Sequence, residues 1–236
     1  DIEVMGDAGL AHLQRLRDAG APCQTEISTN ARCFDFAWAE RLGQDAVEAA
    51  KERRVIECLR SMNVTTTDTC INYQTVYQPH FGEHLAWGDT GTVIWANSVC
   101  GARSNFEGGP SAMEAAMTGR TPEYGFHLDA QRRGTFVVEV AADLDDPADW
   151  GALGKLVGEG HQSYYQVPVF NEVKRPPQAD ELKHLGCSLA SYGSMAMYHM
   201  VGVTPEAPTL AGACGGRRPE QDVRVTQADI ERVYAG

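Results

Sequence analysis

The chain has 236 residues, 43% of them hydrophobic, with 24 glycines and a formal charge of −12 from 32 acidic and 20 basic residues. That size and composition suit one large α/β domain or two small ones rather than a disordered chain. The acidic balance disfavours nucleic acid as a partner but leaves room for a small anionic substrate, and no run reaches the about 18 apolar residues of a bilayer-spanning helix, so no membrane partner is expected.

Residues 7–20 read as a helix: Asp7 can cap it, Leu10, Leu13 and Leu16 share a face, and Gly20 ends it. Residues 45–62 predict a longer helix with Val47, Ala50, Val55, Leu59 and Met62 near one side. The β-branched run from Val64 to Cys70 predicts a strand leading into a loop. Residues 72–110 mix glycine, asparagine, serine, histidine and tryptophan without clean periodicity. Pro110 stands in the first turn of a short helix that Gly119 closes. Residues 134–141 predict a buried strand, and residues 147–158 and 179–200 predict helices, the second broken near Gly186 and Gly193. A short strand is expected over 222–226, after which Thr226 and Asp229 form a capping arrangement for a last helix. The alternation of strand and helix predicts α/β layering, and Pro176 and Pro177 mark a candidate subdomain boundary.

The acidic N-terminal stretch does not have the layout of a signal peptide. Seven cysteines, at 23, 33, 58, 70, 100, 187 and 214, include no CxxC pair, and their odd number suits a reducing, cytoplasmic setting. Asp1 is not an initiator methionine and Gly236 follows soon after the start of a helix, so the chain reads as a fragment or as one chain of a larger assembly.

Chemistry concentrates between Cys70 and Gly125, because long irregular segments inside a compact domain are usually functional. Two glycine-rich corners, at Gly101–Asn105 and Glu107–Pro110, let backbone amides approach a ligand. Arg103 offers a planar fork for a carboxylate, and Asn97, Ser98, Ser104 and Asn105 offer neutral hydrogen bonds. The competing reading is a set of tight turns whose polar side chains are satisfied internally. His84, in a glycine-flanked polar loop, suits hydrogen bonding or proton shuttling. His127 and His199 follow apolar residues and read as core histidines, while His12, His161 and His184 read as surface residues. Lys183 is a candidate for neutralising a substrate carboxylate, with a solvated helix face as the alternative.

The runs Thr29-Asn30-Ala31-Arg32, Thr69-Cys70, Gly82–Gly88, Asn97–Asn105, Gly108–Ala112, Gly119–Gly125, Leu182–Gly186 and Val201–Ala207 together resemble the aconitase X family, in the family's order and across nearly the whole chain. The resemblance implies an aconitase-like layered α/β fold, with this chain an incomplete part of the large region. It also implies an iron–sulfur cluster, of [2Fe-2S] or [4Fe-4S]-like type, and a hydro-lyase that dehydrates a small hydroxy acid. Family reactions are dehydration of cis-3-hydroxy-L-proline, the substrate preferred here because no P-loop or dense Lys/Arg cluster announces a phosphate site, and of mevalonate 5-phosphate. A catalytically silent subunit or binding protein is the alternative of a different class.

By the same resemblance Cys70 is the cluster ligand, in the open polar loop that a thiolate ligand needs. Cys100 and Cys187 read as small packing residues with a ligand role as the alternative, and Cys58 as core. Thr29, Asn30, Asn97, Arg103, Ser104, Gly108 and Gly109 are the expected substrate-binding residues, with His84 and Ser98 catalytic. The remaining ligands and a catalytic serine are expected from elsewhere, the serine on a small swivelling domain or subunit that is not in this chain. Residues 1–236 alone are therefore expected to be inactive, and the loop Asn97–Asn105 to lie exposed at a cleft.

Overall fold

A computed structural model of the chain describes residues 1–235. The helices are α1 (Ile2–Asp18), α2 (Ala46–Ser61), α3 (Asn72–Thr75), α4 (Thr90–Trp95), α5 (Gly109–Thr118), α6 (Pro147–Gly160), α7 (Ala179–Gly193), α8 (Leu210–Ala213) and α9 (Gln227–Ala235), and the strands are β1 (Phe136–Val140), β2 (Pro168–Asn171), β3 (His199–Met200) and β4 (Asp222–Val225). They fall into two units. The first takes residues 1–78 and 109–120, the second residues 79–108 and the chain from Thr121 onward. Pro176 and Pro177 lie inside the second unit, between β2 and α7.

In the first unit, Asp1 caps α1 by accepting from the Val4 amide at 3.1 Å, and the helix then breaks at Gly6 (φ 58°, ψ −169°). Only glycine adopts that backbone without a Cβ penalty. The predicted helix over 7–20 is the stretch beyond this kink, with Leu10 and Leu13 buried, and the Asp7 carboxylate pairs with Lys51 at 2.8 Å. Asp45 caps α2 by accepting from the amides of Val47 (2.7 Å) and Glu48 (2.9 Å). Val55, Cys58 and Met62 are buried, but Val47, expected on the same face, is 65% exposed. Ile2, Leu13, Val55, Met62 and Met113 of α5 share one apolar cluster.

The expected strand over 64–70 is reduced to a single bridge between Ser28 and Thr65. Left-handed residues at Asn63 (φ 67°) and Asp68 (φ 54°) bracket the run and stop it from extending.

The second unit is built on a four-stranded parallel sheet in the order β3-β2-β1-β4, with Phe136 opposite Pro168, Val137 opposite Asp222 and Val169 opposite His199. Parallel strands buried on both faces read as continuous apolar runs, and Phe136, Val137, Val138 and Val140 are buried accordingly. Asp146 caps α6 by accepting from the Ala148 amide at 2.8 Å, with Pro147 in the first turn. Trp150, Leu153 and Val157 of α6 and Leu185 and Leu189 of α7 are buried.

Gly186 stays inside α7 instead of breaking it, in a position where a Cβ would come 3.1 Å from Ile94. The helix stops at Gly193, Ser194 turns left-handed (φ 57°), and the chain runs into β3, so residues 194–200 are not helical. At the other end Thr226 donates from its amide (2.7 Å) and hydroxyl (2.6 Å) to the Asp229 carboxylate at the start of α9, as the sequence predicts.

Glycines set how closely α6 and α7 approach. A Cβ at Gly154 would sit 2.6 Å from the Leu185 carbonyl oxygen and 2.7 Å from Ser188 Cβ. Gly154→Ala must push the two backbones apart, and such overpacking costs about 1–3 kcal/mol. Chemical denaturation should show the loss as a lower midpoint, and an unchanged midpoint would mean that α7 yields freely.

Candidate functional site

The irregular segment after residue 78 becomes ordered through one short helix. Asp89 caps α4 by accepting from the Thr92 amide (3.2 Å) and hydroxyl (2.7 Å). The helix then widens into a π-turn over Ala96–Cys100 and ends at left-handed Gly101 (φ 67°), whose successor Ala102 donates to the Ala96 carbonyl at 2.9 Å. Such π-turns recur at functional sites because they re-aim consecutive side chains.

Here they aim inward. Asn97 is fully buried, and its amide nitrogen donates to the carbonyls of Ser104 (2.8 Å) and Ala196 (2.9 Å) while its oxygen accepts from the Ser104 amide (2.9 Å). The Ser98 hydroxyl accepts from the Tyr198 amide at 2.9 Å, and Ser104 donates to the Asn105 carbonyl at 2.8 Å. Asn105 accepts from the Phe126 amide (2.9 Å) and the Tyr164 hydroxyl (2.7 Å). The expectation of an exposed loop over Asn97–Asn105 is corrected: Asn97, Ser98, Ser104 and Asn105 are all at most 1% exposed. Buried polar groups must find partners, and these found them within the unit. Gly108 is exposed.

Arg132 ties these pieces together. Its guanidinium is 2% exposed and meets Glu206 with Nε 3.0 Å from both carboxylate oxygens and one terminal nitrogen 2.5 Å from Oε1. The remaining donors reach the carbonyls of Phe126 (3.0 Å) and Asn97 (2.9 Å). His199 Nε2 donates to the Arg132 carbonyl at 2.7 Å. Sequence reading passed over Arg132 and Glu206, since nothing local marks an arginine whose partner lies 74 residues away. Beside the pair is an open cleft of about 210 Å³ lined by Asp129, Arg132, Arg133, His199 and Glu206 among others.

Arg103 stands on a short parallel bridge to His84, with Leu85 donating to the Arg103 carbonyl and Arg103 to the Glu83 carbonyl, both at 2.8 Å. Its fork is engaged: one arm donates to the His127 carbonyl at 2.8 Å, and the other pairs with the exposed Asp129 carboxylate. That guanidinium holds the Asp129 carboxyl below the usual carboxylate range. His84, exposed, meets buried His127 with their Nδ1 atoms 2.8 Å apart. Burial first, then the charges of His84, Arg132 and Arg103, lower the His127 pKa from 6.5 to about 4, so its ring is neutral at physiological pH.

Thr29, Asn30, Cys70 and Gly109 belong to the first unit, and the other expected site residues to the second. Thr29 and Asn30 line a cleft of about 120 Å³ with Arg32, Glu52 and Asp68, where Arg32 and Asp68 form an ion pair. Thr29 is held by a hydrogen bond from Thr67 Oγ1 to its carbonyl at 2.5 Å. Next to Cys70, Asn72 donates to Ser28 Oγ at 3.2 Å. Lys183 is engaged by Asp180 at 2.5 Å.

All seven cysteines are free thiols. Cys70 and Cys187 are exposed, and burial pushes the Cys100 thiol up to about 11. An open, exposed thiol at Cys70 fits one ligand of an iron–sulfur cluster. Among the described residues, however, no three His, Cys, Asp or Glu side chains gather as a metal site. These residues therefore do not build a cluster site by themselves. No helix among them is long and apolar enough to cross a membrane.

Residues 2–130 match the family model of the aconitase X first domain, and residues 134–235 that of the aconitase X second domain. The chain is 42% identical to the phosphomevalonate dehydratase large subunit of Methanothermobacter thermautotrophicus, over 86% of this chain and 50% of that protein. It is 36% identical to the cis-3-hydroxy-L-proline dehydratase of Pseudomonas aeruginosa, over 93% of this chain and 38% of that protein. Among solved structures it matches the holo-form of Thermococcus kodakaraensis aconitase X with a TM-score of 0.85 and 34% identity, over 98% of this chain and 56% of the other. The chain thus spans about half the length of these large-subunit relatives.

Proposed function

Since the chain belongs to the aconitase X family, we propose that it is the large-region part of a hydro-lyase that removes water from a small hydroxy acid. The observation that carries the proposal is the pair of family models running from residue 2 to residue 235, alongside relatives named as dehydratases. The active enzyme needs more than these residues. An iron–sulfur cluster is held by several cysteine thiolates, and this chain offers Cys70 as one of them. The rest of the site comes from polypeptide beyond this chain, on a swivelling domain or a partner subunit, the second option supported by relatives named large subunits. A cytoplasmic setting belongs to the same proposal and rests on the odd number of cysteines.

Two substrates fit. Mevalonate 5-phosphate is supported by identities of 42% and 39% to phosphomevalonate dehydratase large subunits, against 36% and 32% to the hydroxyproline enzymes. cis-3-Hydroxy-L-proline, which would yield Δ1-pyrroline-2-carboxylate, is supported by the relatives named cis-3-hydroxy-L-proline dehydratases.

Elimination needs a base at the acidic carbon and help for the departing hydroxyl. From this chain, the reading assigns contact with the substrate to His84 and to the Gly108 backbone, both of them exposed residues. An anaerobic assay of the full-length protein with its partner, offering each substrate, is the test. Dehydration of one identifies it, and dehydration of neither by iron-loaded protein overturns the proposal. Cys70→Ser should lower iron per chain while leaving the circular dichroism spectrum unchanged, and unaltered iron would remove Cys70 from the ligand set.

A further inference from the structure

The two rings of the His84–His127 pair are nearly parallel, 11° apart, with centroids separated by 5.1 Å and Nδ1 atoms by 2.8 Å. Rings stacked face to face at that centroid separation could not bring two nitrogens to hydrogen-bond distance along a shared lone-pair direction. The numbers describe two imidazoles lying edge to edge in almost one plane, with one proton between their Nδ1 atoms. A neutral imidazole carries its proton on one nitrogen and accepts at the other, so one of the two rings must donate from Nδ1 and the other must hold its proton on Nε2.

Burial decides which. His127 is 3% exposed, and its Nε2 is buried without a hydrogen-bond partner among the described residues. An orphaned buried N–H is rarer than an under-satisfied buried acceptor. His127 therefore keeps its proton on Nδ1 and donates to His84. The backbone carrying each ring is held: Arg103 donates to the His127 carbonyl, and a parallel bridge joins Arg103 to His84.

We propose that His127 is a positioning residue that fixes His84 as the Nε2–H tautomer, so that His84 presents a neutral N–H outward as a hydrogen-bond donor to an oxygen of the substrate and does not serve as the base. The functional half of this rests on the reading that His84 meets the substrate. The tautomer half stands on the geometry alone. Proton bookkeeping agrees with a donor role. If the neutral pair gave up its outer proton it would become an imidazolate, whereas donation of a hydrogen bond to a carboxylate or carbonyl oxygen moves no proton.

The test has a spectroscopic and a kinetic arm, both on the full-length protein with its partner. Nitrogen NMR of 15N-histidine-labelled protein, with His84 assigned from His84→Gln, should show His127 protonated on Nδ1 and His84 on Nε2. A coupling between the two Nδ1 nuclei through the hydrogen bond should be visible. His127→Leu should abolish that coupling and leave His84 a mixture of tautomers, while His127→Asn, whose amide can donate from nearly the same place, should restore the single tautomer. In the kinetic arm His84→Gln, which keeps an N–H near the Nε2 position, should stay within about threefold of wild-type kcat/KM, and His84→Leu should lose about tenfold or more. Protonation of His127 on Nε2, or equal collapse of the two His84 variants, overturns the proposal. Wild-type kinetics in His84→Leu together with the expected spectrum overturns the placement of His84 at the substrate, and with it the positioning role, separately from the tautomer.

Discussion

Glu206→Gln should destabilise the second unit by about 3 kcal/mol, the lower end of what breaking a buried ion pair costs. The shape hardly changes, so the loss is electrostatic. Arg132 is 2% exposed and cannot turn to water, and an arginine cannot shed its proton to escape. Its other donors are spent on the Phe126 and Asn97 carbonyls, so no spare acceptor takes over the charge. Glu206, 20% exposed, is the partly solvated side of the pair, which places the estimate at the lower end rather than the upper. For a chain of this size the loss corresponds to roughly 6–12 °C in melting temperature. Glu220→Gln is the control. Its pairing with Arg217 at 3.6 Å is almost wholly exposed, and such pairs contribute little, so its melting temperature should stay at the wild-type value. Equal melting temperatures for the two variants would show that Arg132 has a route to solvent absent from this structure.

Arg132 also shows which parts of the molecule can be read along the chain. Features decided locally are legible: the helix that starts after Asp45, the helix from Gly109 to Thr118 closed at Gly119, and the Thr226–Asp229 capping pair. The central strand β1 is legible because burial on both faces leaves an unbroken apolar run. Strands β2 and β3 are not. They span four and two residues, and only their pairing with strands about 30 residues away makes them strands. The segment around Asn97 is the sharpest case. A glycine-rich run of asparagines and serines has one composition whether it lines a cleft or feeds its hydrogen bonds to the interior. Here Ala196 and Tyr198, about 100 residues further on, choose the second. His127 carries the same ambiguity in reverse: it reads as a core histidine and is buried, yet its ring is bonded to an exposed histidine 43 residues earlier.

Acid should weaken this protein as the pH falls below about 6.5. The unfolded chain takes up a proton on His127 near pH 6.5, whereas the folded chain resists until about pH 4. Between those values the unfolded state binds more protons, so folding stability falls as pH falls. The contribution is fully present above pH 6.5, shrinks through the window and levels off below about pH 4. Moving one proton affinity across that window is worth about 3 kcal/mol. Burial lowers the His199 pKa as well, which adds a slope of the same sign. Asp129 and Glu181 behave differently. Arg103 and Arg175 hold their carboxyls below the usual values of 3.8 and 4.5, so what they contribute is kept above those values and lost only below them. Urea midpoints measured at pH 7.5, 6, 5 and 4.5 should therefore fall steadily. In His127→Asn the fall should be shallower, leaving the part due to His199. The same slope in wild type and variant would mean that His127 takes up its proton in the folded state as readily as in the unfolded one.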